Sequence, residues 1–230
     1  MGRAIGLVSI GQSPRPDLIE DYERALPGVR IVQAGALDDL SEDQVRGLRP
    51  ESGDEVLVSR LRSGREVLLA RRHLEPRLQA CLDRLSRDVD LTVLLCTGEF
   101  PAIRPRGVLL LPRRVLHHIV AAVMDGVRAA AEDSVRVGVL VPDDAQQESA
   151  KARWGSFGPV EAVAASPYRG MEAVEGAAQA LRAAGARLAV MDCIGYTRAM
   201  RDAVAAITGA PTILANASVA MIAREVLGRP

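Results

Sequence analysis

The chain has 230 residues, of which 48% are hydrophobic, and its 29 basic residues are balanced by 29 acidic ones. This length allows one large core or two modest ones. The charge balance excludes the positive field that draws a protein to nucleic acid or anionic lipid, and no run approaches the roughly 18 apolar residues of a membrane span. We therefore expect neither a nucleic-acid nor a membrane partner. An odd number of widely spaced cysteines, with no signal-peptide pattern, favours reduced thiols and a cytoplasmic location.

Short apolar runs rich in Val, Ile and Leu alternate with segments of helical period, which is the pattern of a mainly parallel sheet covered by helices on both faces. A first series predicts strands at 5–10, 30–34, 91–96 and 108–111, with helices at 16–25 and 74–86. Segments 56–61 and 65–70 predict a β-hairpin inserted in this series. A second series predicts strands at 135–141, 160–164, 188–193 and 212–215, with helices at 114–131, 146–154, 171–184, 198–207 and 218–227.

The two series resemble each other at matching positions. The segment GLVSIG from Gly6 matches GVLVPD from Gly138, and VLLCTG from Val93 matches VMDCIG from Val190. In the second match a cysteine ends the third strand of each series, and a glycine follows two residues later. The sequence therefore predicts an α/β fold of two pseudo-symmetric lobes, each with a largely parallel four-stranded sheet flanked by helices. The first lobe is predicted at 1–113, completed by a C-terminal helix at 216–230, and the second at 114–215.

Cys96 and Cys193 are the candidate reactive residues. Ligands of parallel α/β sheets bind beyond the carboxyl ends of the strands, where loops lead into helix N-termini with free N–H groups. The helix dipole and nearby donors stabilise a thiolate at such a place, so we expect the pKa of these thiols to fall towards neutrality. The alternative is that both are small buried apolar residues, which is the expectation for Cys81 on the apolar stripe of its helix.

Four segments carry a resemblance to a known family: Ile10–Asp17 (IGQSPRPD), Leu95–Pro101 (LCTGEFP), Met191–Tyr196 (MDCIGY) and Leu214–Ser218 (LANAS). They resemble the AroM family, which is similar to the aspartate/glutamate/hydantoin racemase superfamily. In that superfamily two cysteines act on opposite faces of a carbon next to a carboxylate, and the loop after the first strand contacts the substrate. The resemblance implies that Cys96 and Cys193 are the two cysteines that act on opposite faces of this carbon. It also implies that Gln12, Ser13 and Arg15 contact the substrate.

The sequence also departs from the amino-acid racemases. Those enzymes often have Thr and His after the second cysteine, where this chain has Ile-Gly-Tyr at 194–196. They commonly have Asn and Thr after the first, where this chain has Thr-Gly-Glu at 97–99. The contacts to the ammonium and carboxylate groups of an amino acid therefore differ, so a conventional glutamate racemase is not expected.

These observations predict a cofactor-independent racemase or epimerase. In this isomerase, one cysteine is the thiolate base and the other the thiol acid at a carbon α to a carboxylate. The predicted substrate-binding residues are Gln12, Ser13, Arg15, Thr97, Gly98, Glu99, Gly195, Tyr196, Asn216 and Ser218. The expected partner is a small carboxylate-bearing substrate, and Asp192 and Glu99 are expected to tune the two thiols. Homodimer formation is left open.

Two other functions remain open. One is a single-cysteine enzyme of the same superfamily, such as a decarboxylase or a cis-trans isomerase. The other is a non-catalytic two-lobed protein that closes on a small ligand, which the family name links to aromatic metabolism. No nucleotide cofactor is expected, since no glycine-rich phosphate loop follows a strand, and no metal site, since the adjacent His117 and His118 point about 100° apart on a helix.

Overall fold

The computed structural model describes residues 2–130 and 134–228, which form two compact units. The first unit comprises the residues up to Arg114 together with those from Val219 onward, and the second comprises Val115–Ser218. Parts of three predicted segments, at Met1, at Ala131 and at 229–230, lie outside the described residues.

The first unit is built on a parallel sheet with an added hairpin. In chain order its elements are β1 (Ala4–Ser9), α1 (Pro16–Ala25), β2 (Arg30–Gly35), α2 (Glu42–Arg46), β3 (Val56–Arg60), β4 (Glu66–Ala70), α3 (Arg71–Leu85), β5 (Leu91–Leu95) and β6 (Leu109–Leu110). The sheet has the order β2-β1-β5-β6 with parallel neighbours, and β3 pairs antiparallel with β4. Every residue of β1 and β5 is buried, which explains their continuous apolar runs. The core includes Val8, Leu94 and the α3 residues Leu74 and Leu78.

The second unit repeats this plan without the hairpin. Its elements are α4 (Pro112–Ala129), β7 (Val137–Val141), α5 (Gln147–Trp154), β8 (Val160–Ala164), α6 (Met171–Ala183), β9 (Leu188–Met191), α7 (Arg198–Thr208) and β10 (Thr212–Leu214). The last helix, α8 (Ala215–Leu227), begins in this unit and belongs to the first unit from Val219 onward. The sheet has the order β10-β9-β7-β8, again with parallel neighbours. Its core includes Leu140, Met191 and the α6 residues Val174 and Leu181.

The two sheets have the same topology. In each, the first strand of the unit lies between the second and third, and the fourth lies beyond the third. A glycine stands at the same place in both first strands: a Cβ at Gly6 would lie 3.2 Å from Val89 Cγ2, and one at Gly138 would lie 2.9 Å from Ala186 Cβ. These glycines let flanking segments pack closely on the central strand. The predicted α/β class, with two similar parallel sheets and a hairpin in the first, is confirmed.

Some boundaries differ from the sequence prediction. The third helix begins at Arg71 rather than at Leu74, and the short helix α2 was not predicted. The last helix begins at Ala215, directly after β10, rather than at Ser218. Over the described ranges, no helix combines the length and apolar character needed to cross a membrane.

Candidate functional site

The first cysteine turn follows β5. Cys96 is half-buried and comes directly after the last strand residue, Leu95, and its Sγ accepts the main-chain N–H of Gly98 at 3.3 Å. A Cβ at Gly98 would lie 3.0 Å from Leu57 Cδ2 and 3.4 Å from the Cys96 sulfur, so glycine lets the turn close on the sulfur. A backbone donor at this distance favours the thiolate over the thiol.

The second cysteine turn, in the other unit, has the same hydrogen bond. Cys193 is 9% exposed, and its Sγ accepts the main-chain N–H of Gly195 at 3.4 Å. A Cβ at Gly195 would lie 2.5 Å from Tyr168 Oη and 2.8 Å from Pro167 Cγ. Glycine is therefore required more strictly in this turn than in the first.

The sheet register makes the two cysteines equivalent. Val93 of β5 pairs with Leu7 of β1, and Val190 of β9 pairs with Val139 of β7. Each cysteine follows its paired valine by three residues, and each strand is the neighbour of the first strand of its unit. Both thiols therefore lie at the carboxyl edge of their sheet, which is the ligand-binding edge of such folds.

Both carboxylates near the cysteines have arginine partners. Glu99, three residues after Cys96, is exposed and lies 2.6 Å from Arg113 Nη2. Asp192, directly before Cys193, is buried, and its Oδ2 accepts Arg153 Nη1 at 2.7 Å. Neither carboxylate therefore presents an uncompensated negative charge beside a thiol.

Two residues of the predicted substrate loop after β1 are held by the protein itself. Gln12 is buried and donates through Nε2 to the carbonyl oxygens of Leu37 and Leu40, at 3.2 and 3.3 Å. Ser13 binds the carboxylate of Asp38 twice, through its main-chain N–H and through its hydroxyl, both at 2.6 Å. Arg62, at the turn of the hairpin, donates its main-chain N–H to Gln12 Oε1 at 3.0 Å.

Arg15 is engaged by an internal carboxylate. It is 3% exposed, and its Nε and Nη2 donate to the two oxygens of Asp17 at 2.9 and 2.7 Å. Burial raises the pKa of Asp17, but the hydrogen bond and charge of Arg15 and the charge of Arg60 outweigh it and hold the pKa below its ordinary value. A substrate carboxylate at Arg15 would have to share the guanidinium with Asp17.

The remaining predicted residues differ in accessibility. Thr97 and Asn216 are buried and Ser218 is half-buried. Tyr196 is 2% exposed and its hydroxyl donates to Ala165 O at 2.7 Å. Burial, and then the neighbouring Cys193, Asp192 and Tyr168, raise the pKa of Tyr196 well above its ordinary value. The hydrogen bond from the Tyr196 hydroxyl to Ala165 O links the Cys193 turn to the loop after β8.

Sequence reasoning missed the loops after the second strand of each unit. Asp38, which follows β2, accepts from Gly35 N–H at 2.8 Å as well as from Ser13. Tyr168, which follows β8, lies against Gly195. A polar or aromatic side chain after an apolar run at the carboxyl edge of a sheet was the available signal. It was applied only to the first, third and fourth strands.

Two other residues singled out from the sequence take part in packing. His117 lies in an aromatic cluster, with ring centroids 5.0 Å from Phe157 and 6.2 Å from Trp154. Cys81 is 7% exposed and its Sγ donates to Gly35 O at 3.6 Å, while burial raises its pKa. Within the part of the chain that the structure describes, no group of His, Cys, Asp and Glu is arranged to hold a metal ion.

The two similar parallel α/β units give this chain a fold that it shares with solved structures of racemases and of a decarboxylase. A glutamate racemase from Francisella tularensis, crystallised with D-glutamate, is 12% identical with a TM-score of 0.58, covering 98% of this chain and 81% of that one. Glutamate racemase RacE1 from Bacillus anthracis is 14% identical with a TM-score of 0.57 over the same shares. An arylmalonate decarboxylase is 14% identical with a TM-score of 0.52, covering 98% and 92%. At these identities, the likeness establishes the fold alone.

Residues 5–227 match the sequence model of the AroM protein family, so the chain belongs to the AroM family. No curated protein matches the sequence.

Proposed function

We propose that this protein is a cofactor-independent racemase or epimerase that uses Cys96 and Cys193 as its acid/base pair. The observation that supports the proposal best is the matched pair of cysteine turns. Each sulfur lies at the carboxyl edge of its sheet and accepts the N–H of the glycine two residues later. Two-base proton exchange needs two acid/base groups, and the two similar units supply a cysteine in matching positions.

The proposed reaction is proton exchange at a carbon α to a carboxylate. The thiolate of one cysteine removes the α-proton, so the C–H bond breaks and an S–H bond forms. The thiol of the other then delivers its proton to the opposite face, which restores a C–H bond with inverted configuration. The thiolate and the thiol have exchanged roles, and no electron is gained or lost.

Substrate binding is assigned to polar groups at the carboxyl edges of the two sheets. Thr97 and Asn216 are proposed to bind the carboxylate, together with Ser218 and main-chain N–H groups of helix N-termini, because donors at such places stabilise developing enolate charge. Gln12 and Ser13 support this site by fixing the loop after β1 through Leu37, Leu40 and Asp38.

One observation favours a second candidate, a single-cysteine enzyme. The two thiols differ in exposure, since Cys96 is half-buried whereas Cys193 is 9% exposed. An enzyme that only protonates an enolate formed by loss of carbon dioxide needs one thiol. The arylmalonate decarboxylase shares this fold, so a decarboxylase is the alternative to test.

The test is α-deuterium incorporation from deuterated water by a panel of amino and hydroxy acids. We compare the native protein with Cys96→Ser and Cys193→Ser, and Cys81→Ser is the matched control because that thiol is buried in the core. Both site variants should lose racemisation, since a serine hydroxyl is too weakly acidic to replace a thiol at neutral pH. With a substrate bearing a β leaving group, the two variants should eliminate from opposite enantiomers.

Other outcomes contradict the two-base mechanism. Loss of activity in only one variant, with decarboxylation of a malonate, would establish the single-cysteine enzyme. Full activity in both variants would exclude thiol catalysis. A ligand that binds tightly without exchanging its α-proton would favour the non-catalytic binding protein.

A further inference from the structure

A buried ion pair includes Asp192, the residue directly before Cys193. Asp192, whose side chain is 1% exposed, follows β9 and precedes Cys193. Its Oδ2 accepts Arg153 Nη1 at 2.7 Å and Trp154 Nε1 at 2.8 Å, so two consecutive residues at the end of α5 bind one carboxylate oxygen. The main-chain N–H of Asp192 donates to Leu140 O at 2.9 Å, which fixes the residue against β7.

Stability alone is a weak reason for this pair. The desolvation of two charges offsets most of their attraction, and an apolar pair of similar volume often serves a core equally well. The geometry is also not optimised, because the contact uses one guanidinium nitrogen and the buried Nε of Arg153 has no hydrogen-bond partner among the described residues. The pair is better explained by its position beside Cys193.

Four ionisable groups of this unit are linked to the Cys193 turn by the contacts described above. Asp192 and Tyr196 lie in its own loop, Tyr168 comes from the loop after β8, and Arg153 comes from α5. The hydroxyl of Tyr196 is committed to a carbonyl oxygen and burial keeps it protonated. Of these groups, Asp192 and Arg153 form the ion pair, and Asp192 directly precedes Cys193 in the chain.

We propose that Asp192 and Arg153 are positioning residues that set the protonation equilibrium of Cys193. The guanidinium compensates the carboxylate next to the thiol, so that Cys193 can hold a proton or release it near neutral pH. This role rests on the proposed function, in which Cys193 must alternate between thiol and thiolate. It assigns to Arg153 and Asp192 a function that requires their opposite charges rather than their volumes.

The experiment reads the ionisation of Cys193 without using catalysis. In a Cys81→Ser, Cys96→Ser background, Cys193 is the single cysteine of the chain, and the ultraviolet absorbance of its thiolate is followed against pH. Asp192→Asn removes the negative charge and should lower the midpoint by roughly one pH unit, whereas Arg153→Met leaves the carboxylate unpaired and should raise it by a similar amount. Arg153→Lys retains the charge and should restore the midpoint, and the double variant Asp192→Asn, Arg153→Met should lie near the parent.

Trp154→Phe is the matched control, because it removes the other donor to Asp192 without changing any charge. Its midpoint should stay within a few tenths of a pH unit of the parent. A purely structural pair would give lower stability in every variant with no opposed shifts, and that result would overturn the proposal. If Arg153→Met does not fold, the other two variants still test the proposal. The midpoint of the Cys193 titration should fall in Asp192→Asn and stay unchanged in Arg153→Lys. Opposed shifts in a protein that exchanges no α-proton would support this inference while contradicting the proposed function.

Discussion

Replacing Gly195 by alanine tests the packing of the second cysteine turn. The added Cβ would lie 2.5 Å from Tyr168 Oη, 2.8 Å from Pro167 Cγ and 2.9 Å from Tyr168 Cζ. All three distances are shorter than a relaxed non-bonded contact. The Tyr168 ring could turn aside but the Pro167 ring cannot, so the loop after β8 or the cysteine turn must move. Either movement disturbs the N–H that Gly195 donates to the Cys193 sulfur.

Gly98→Ala is the matched control in the first unit. Neither glycine has a backbone conformation in the left-handed region, so alanine itself is allowed at both positions. At Gly98 the closest neighbour would be Leu57 Cδ2 at 3.0 Å, a contact that a shift of a few tenths of an ångström in this methyl group relieves. Both substitutions reduce the conformational entropy of the unfolded chain equally, which by itself stabilises the folded protein by about 0.4 to 1 kcal/mol.

The two alanine variants should therefore differ in their free energy of unfolding. Overpacking costs about 1 to 3 kcal/mol and the entropy gain offsets part of it, so Gly195→Ala should lower the free energy of unfolding by up to about 2.5 kcal/mol, whereas Gly98→Ala should stay within about 1 kcal/mol of the parent. Urea unfolding measures this directly, and Tm should fall by about 2 to 4 °C per kcal/mol in a protein of this size. Adding Tyr168→Phe to Gly195→Ala removes the closest atom and should recover part of the loss. Equal stability of the two alanine variants would refute the reasoning.

Two further predictions concern a thiol and a carboxylate. Cys96 should react with iodoacetamide well before Cys81, because Cys96 is half-buried beside an N–H donor whereas burial raises the pKa of Cys81. Mass spectrometry of labelled peptides gives the order of labelling, and labelling of Cys81 first would contradict these roles. Asp17→Asn should destabilise the protein at neutral pH by roughly 1 to 3 kcal/mol, because it leaves Arg15 buried without its carboxylate. Since the folded pKa of Asp17 lies below its ordinary value, the stability that this ion pair contributes is present above the ordinary pKa and is lost as pH falls through the folded pKa. The difference between variant and parent should therefore shrink in acid, and a constant difference would contradict the ion pair.

Much of the fold was predictable because its signals are local. The helix Pro16–Ala25 and the strand Val160–Ala164 match their predicted bounds to the residue. Apolar runs between glycine and proline give the strands, and helical periodicity gives the helices. The short helix α2 was missed because Val45 is its single buried residue, although Ser41 and Gln44 form a capping box that marks its start.

The candidate site was predictable in its positions but not in its interactions. Cys96 and Cys193 could be placed at equivalent strand ends from the repeat of an apolar run, a cysteine and a glycine. The sequence analysis expected the Arg15 guanidinium to bind a substrate carboxylate. It binds Asp17, only two residues away in the chain. Proximity in sequence does not reveal whether two side chains are buried together.

The sequence by itself determined which residues stand at the carboxyl ends of the third strands, because strand length and turn formation depend on neighbouring residues. Only the tertiary structure decided what surrounds them. Gln12 is held by a residue 50 positions later, and Asp192 is bound by Arg153, 39 positions earlier. Such partners depend on which loops the strand order brings side by side. A buried hydrogen bond or ion pair forms between groups that share a space, and that space exists only after the sheet is assembled.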